Sequence, residues 1–169
     1  MDIHELNMKK ISIEELENRM RPGQFSEKGF LGPSERLMDV LETDEKRLKE
    51  LGVTYEELAD ALQRIIEEGD RKRGQNVKVN DKFVVKIEAY TGFQMCPFSP
   101  DPHHFQCMAA GGVRFGSLDW MILNIASGQV MHGPGIIVHL IRAHHFFEGF
   151  QSPYRVDPSE LARLLELGT

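Results

Sequence analysis

After Gly74 the spacing of apolar residues changes from helical to alternating, and no other feature restricts the fold of this chain as strongly. Upstream, Leu58, Ala61, Leu62, Ile65 and Ile66 recur at helical intervals. They predict a helix over about 55–68, with "TYEE" at 54–57 as a capping box and Gly69 placed to end it. Downstream, Val77, Val79, Phe83, Val85 and Ile87 alternate, with β-branched and aromatic enrichment and a turn at Asn80-Asp81, which predicts a hairpin. The chain therefore reads as α+β. A helical amino-terminal region, 1–72, is followed by an α+β core, 73–169, in which an antiparallel sheet packs against a long carboxy-terminal helix.

Further elements follow from local signals. "SIEE" at 12–15 is a second capping box, and Ser34 to about Thr43 and Asp44–Leu51 read as two short helices, the latter stopped by Gly52. The intervening "RPGQFSEKGFLGP" is a loop by its Gly and Pro, yet Phe25, Phe30 and Leu31 predict that it packs as an ordered crossing. Strands are expected at about 104–109, 112–115 and 118–126, with a turn in "SGQV" at 127–130. The long helix is expected over about 134–148, with Pro134 at its first position and Gly149 beyond its end. Asp157-Pro158 starts a last short helix, with Leu161, Leu164 and Leu165 facing inward.

On a wheel of about 100° per residue, Ile136, Ile137, Leu140, Ile141, His144 and Phe147 share the core face of the 134–148 helix. His144 thus places an imidazole in an apolar stripe. His139 lies about 140° away and His145 about 100° to the other side. A buried imidazole without partners leaves a donor and an acceptor unsatisfied, each costing roughly 1–3 kcal/mol, so His144 calls for a ligand or a bonded neighbour.

The chain's two cysteines supply one. Cys96, Cys107, His139 and His144 form the pattern C-x10-C, x31, H-x4-H. Zinc takes four such ligands in a tetrahedron, and the helical pair lies within the x3–x5 range of known zinc pairs. The C-x10-C spacing exceeds the short knuckle, so the two thiols meet only if "PFSPDPHHFQ" folds back on itself, as its three prolines and Asp101 allow. His103, His104 and His145 are alternative ligands. Four protein donors close a site and favour a structural metal over a catalytic one. An open, hydrolytic site would instead need a base, for which Glu148, Asp119 and His132 are the candidates.

Other classes are narrowed by charge and motif. A net charge of −6 disfavours broad adhesion to nucleic acid or anionic membrane. "RKRG" at 71–74, with Lys78, Lys82 and Lys86, reads as a solvated linker and strand face. "LGVTYEELADALQRI" at 51–65 has the outline of a helix-turn-helix, but Glu56, Glu57 and Asp60 would meet phosphate with the wrong sign. No Walker loop, GxSxG elbow, HExxH helix or dinucleotide fingerprint is present. "MDIHELNMKK" lacks an apolar leader and no run of about 18 apolar residues occurs, so the cytoplasm is the expected compartment and no membrane partner is expected. A lasting disulfide is unfavourable there. The sequence thus predicts a zinc-stabilised binding or regulatory module for an unspecified ligand or protein partner, with a small metal-dependent hydrolase as the alternative and a DNA-binding protein as the lesser one.

Overall fold

The computed structural model describes residues 11–168, so the leader-like features sought in residues 1–10 lie outside the described residues. The chain is α+β, with five α-helices and a four-stranded antiparallel sheet among the described residues. In order they are α1 (Ile13–Met20), α2 (Leu37–Leu51), α3 (Tyr55–Asp70), β1 (Val77–Val79), β2 (Phe83–Ala89), β3 (Leu118–Asn124), β4 (Val130–Pro134), α4 (Ile137–His144) and α5 (Pro158–Leu164). No helix among the described residues is long and apolar enough to cross a membrane.

Helix starts follow the capping chemistry. Ser12, Thr54 and Asp157 each accept a bond from the backbone N–H three residues on, at 3.0 Å. Residues 34–51 do not split into two helices. α2 runs unbroken from Leu37 to Leu51, because Thr43 Oγ1 donates to the Asp39 carbonyl one turn back and the buried Asp44 pairs with Arg155 at 2.8 Å instead of capping. Gly52 then stops it in the left-handed region.

The sheet is a meander in the order β1-β2-β3-β4. Asn80 and Asp81 both take positive φ, as a tight hairpin between right-twisted strands requires. Its inner face, with Phe83, Val85, Ile87, Trp120 and Ile122, is buried, and α3 lies against it. Gly69 does not end α3 but sits inside it, where a Cβ would come within 2.8 Å of Ile87 and 2.9 Å of Val85. The missing side chain lets helix and sheet approach.

Two expectations about the carboxy-terminal half are corrected. The strands expected at 104–109 and 112–115 are absent. Residues 90–117 form one connection between β2 and β3, with a single 3-10 turn at Ala109–Gly111. The helix expected over 134–148 is eight residues long. Its first part is strand instead: β4 pairs with β3 as far as Pro134, whose carbonyl accepts the Trp120 indole N–H at 3.0 Å. Its end comes early because His145 adopts φ 57 and caps it. α4 is buried on nearly every side, between α3 and the β2–β3 connection, with Arg142 alone reaching the surface.

Candidate metal centre

The β2–β3 connection has little regular structure, and side chains hold its shape. Arg19 on α1 donates to the carbonyls of Pro97 at 2.8 Å and Ser99 at 2.5 Å. Ser99 Oγ donates to the Phe105 carbonyl at 2.7 Å, closing the turn between the cysteines. The proline-rich segment therefore does fold back, and Cys96 and Cys107 come to lie beside α4.

There they meet both helix histidines. Each of Cys96, Cys107, His139 and His144 offers one donor atom, all of these atoms lie within 4.8 Å of one another, and all four residues are buried. Such a cluster can hold a metal ion. Zn–S bonds of about 2.3 Å and Zn–N bonds of about 2.0–2.1 Å imply tetrahedral edges of roughly 3.3–3.8 Å. The Cys107 Sγ to His144 Nε2 distance of 3.4 Å falls in that range. His139, expected off the core face, is only 4 % exposed, because a helix enclosed on nearly all sides has no solvent face to give it. The two imidazoles meet edge to face with centroids 5.2 Å apart.

The electrostatics separate the two thiols. A hydrogen bond from Cys96 holds Cys107 far below the ordinary thiol range, and His139, His144 and the Ala109 N–H pull the same way against the cost of burial. Burial pushes Cys96 up, and the Cys107 sulfur beside it pushes further, while the N–H groups of Phe98 and Ser99 partly offset the rise. Backbone donors are thus aimed at both sulfurs, and the surroundings favour the ionised form at Cys107. Thiolate is the form that binds metal. Neither cysteine is in a disulfide.

The other candidates lie elsewhere. His103 is exposed and meets Phe25 edge-on. His104 is exposed and pairs with Asp101 at 2.9 Å. His145 stacks on Tyr55 with centroids 3.8 Å apart, and burial lowers its pKa to about 4. Asp119 and His132 are exposed on the outer face of the sheet. Glu148 is fully buried, accepts a bond from Ser152 Oγ at 2.9 Å, and is protonated up to about pH 8 through burial.

Residues that spacing alone does not reveal complete the surroundings. Phe98 stacks on His144, Arg19 grips the loop, and Arg114 and Arg142 line a cavity that His139 also lines. The C-P-F run and the H-x2-R spacing on α4 are the signals that mark Phe98 and Arg142. No family model, curated protein or solved structure matches the chain.

Proposed function

We propose that Cys96, Cys107, His139 and His144 bind one zinc ion as a closed structural site, in a cytoplasmic protein that acts as a binding or regulatory module. In this reading residues 73–169 are the zinc-binding core, and the helical region 1–72 grips the metal loop through Arg19. The observation that carries it is His139, whose two ring nitrogens are both buried beside the cysteine sulfurs and meet no nitrogen or oxygen partner among the described residues. An imidazole left so beside two thiols is costly, and ligation removes the cost at one nitrogen. Two sulfur and two nitrogen donors suit zinc better than the oxygen-seeking Mg²⁺ or Ca²⁺.

Four protein donors leave no position for a water, and this favours the structural site over the hydrolase. Glu148, a base that a hydrolase could use, is enclosed with Ser152. The DNA-binding reading is weaker again. α3 carries Glu56 and Glu57 on its exposed side, and Asp60 is engaged by Arg142 at 2.7 Å. Elemental analysis of protein purified without chelator tests the proposal, with about one zinc per chain expected from one four-ligand site. Folded protein free of metal, or a Cys96–Cys107 disulfide in its place, would overturn it.

A further inference from the structure

Away from the cysteines and histidines, three aromatic side chains that the core leaves in solvent gather round one hollow. Tyr90, Phe93 and Tyr154 are 41–42 % exposed and line a cavity of about 470 Å³, the size of a small-molecule site. Scattered exposed apolar side chains are ordinary, but several gathered at one place mark a binding surface. The cavity lies where the outer face of the sheet, at Asp119 and Pro134, meets the start of the β2–β3 connection and the segment Ser26–Lys28.

The backbone holds this arrangement in place. Tyr90 Oη donates to the Gly116 carbonyl at 2.9 Å, and the Tyr90 N–H donates to the Ser117 carbonyl at 3.0 Å. Phe93 lies so close to Gly116 that a Cβ there would come within 2.7 Å of two ring carbons, and the next residue, Gln94, donates its N–H to the Gly116 carbonyl at 2.8 Å. Among the described residues none of the three rings stacks on another ring, and no side-chain cation lies over any of them. Phe115 and Phe150, by contrast, are covered by Arg114 and Arg155.

The charge beside the rings is negative. Asp119 and Glu27 line the cavity as acids against Lys28 as the one base, and among the described residues none of these three side chains makes an ion pair. Burial raises the Asp119 pKa, with His132 acting against this, so its carboxylate is partly stripped of water with no counter-charge in contact. The Tyr90 hydroxyl is raised by burial, then by Asp119 and then by Tyr154, which marks the three as neighbours. A hard metal ion is a poor fit, since it calls for about six or more oxygen ligands and the acids here are two. An aromatic face attracts a cation, and a quaternary ammonium, with no N–H to satisfy, is the cation that such faces recognise best.

We propose that this cavity binds a small organic cation, with a trimethylammonium group against Tyr90, Phe93 and Tyr154 and the Asp119 carboxylate as its counter-charge. None of these side chains belongs to the four-donor cluster, so the inference stands or falls apart from the zinc reading.

Calorimetric titration of choline into the purified protein tests this, with potassium chloride and dimethylbutanol, the uncharged carbon analogue of choline, as controls. Choline is expected to bind saturably, and both controls at least about tenfold more weakly. Phe93→Leu keeps an apolar side chain without the aromatic face, and Asp119→Asn keeps the shape without the charge. Each is expected to weaken choline binding about fivefold or more, with zinc content unchanged. Asp119 is exposed, so its variant serves if Phe93→Leu fails to fold. Choline that does not bind, that binds no better than dimethylbutanol, or that binds equally well to both variants overturns the inference while leaving the zinc site standing. A trimethyllysine peptide that binds where choline does not would also overturn it, by moving the ligand from a small molecule to a modified protein.

Discussion

The ring of Phe98 lies flat on the imidazole of His144, with centroids 4.1 Å apart and planes within 8°. The same ring meets Phe146 edge-on at 5.6 Å. Phe98 thus fixes the orientation of one donor and joins the cysteine loop to the chain just beyond α4. Phe98→Ala is expected to lower stability by about 3–5 kcal/mol, as large-to-small core changes do, and to weaken zinc binding by roughly 10–100-fold, as loss of outer-shell support does. Denaturant unfolding and competition with a zinc indicator measure the two effects. Unchanged zinc affinity would mean that the stack is packing alone.

Metal and fold are expected to be lost together. A structural site forms only in the folded chain, so its binding free energy is folding free energy. For a chain of this size about 1 kcal/mol moves the melting midpoint by about 2–4 °C. Chelation and Cys107→Ser are each expected to lower the midpoint by several times that interval, and the variant to lose zinc as well. A chelated protein that keeps its midpoint would turn attention to an open, catalytic metal.

His103 and His104 are expected to be dispensable. Both are exposed, and His104 is engaged by Asp101. The double alanine variant should retain full zinc content in elemental analysis. Loss of metal would place a ligand in the loop and remove one helix histidine from the set.

Glu148 sets a pH dependence with a definite sign. Burial raises its pKa from near 4.5 to about 8, and only the Ser152 bond acts against this. Between those values the folded chain holds a proton that the unfolded chain has released. Stability from this group is therefore fully present below about pH 4.5 and is lost as pH rises towards 8, by an amount on the order of a few kcal/mol. Glu148→Gln keeps the shape without the titration. It is expected to flatten the fall in melting midpoint expected of the parent between pH 5 and 8, and an equally steep fall in both would remove Glu148 from the account.

Gly69→Ala separates helix propensity from packing. In an exposed helix the change would gain up to about 1 kcal/mol. Against Ile87 and Val85 the added methyl has no room, and overpacking of this kind costs about 1–3 kcal/mol. A net loss of stability is expected from denaturant unfolding, and a gain would show that α3 can move off the sheet.

Features that depend on neighbours in sequence were legible, and those that depend on distant partners were not. The caps at Ser12, Thr54 and Asp157 and the turn at Asn80-Asp81 are decided within four residues, and the structure has them where the residues indicate. The start of the long helix is decided by β3, which claims Val130–Pro134 as a strand. Gly69 looks like a helix stop until the sheet beneath it is known. His139 looks solvent-facing on a wheel, because a wheel assumes one wet side and α4 has almost none. The four residues of the cluster could be chosen by residue type and spacing, but Arg114 carries no such signature and becomes visible only with the cavity it lines.

The β2–β3 connection carries both thiols, and α4, which follows it, carries both imidazoles. A chain made from its amino terminus presents Cys96 and Cys107 well before His139 and His144. During synthesis an ion bound as proposed would meet two sulfurs first, and the four-donor cluster is completed only when β4 has joined the sheet and α4 has followed. With zinc bound as proposed, loading would be timed to the end of synthesis, and a truncated product ending before α4 would have only half of the four-donor cluster.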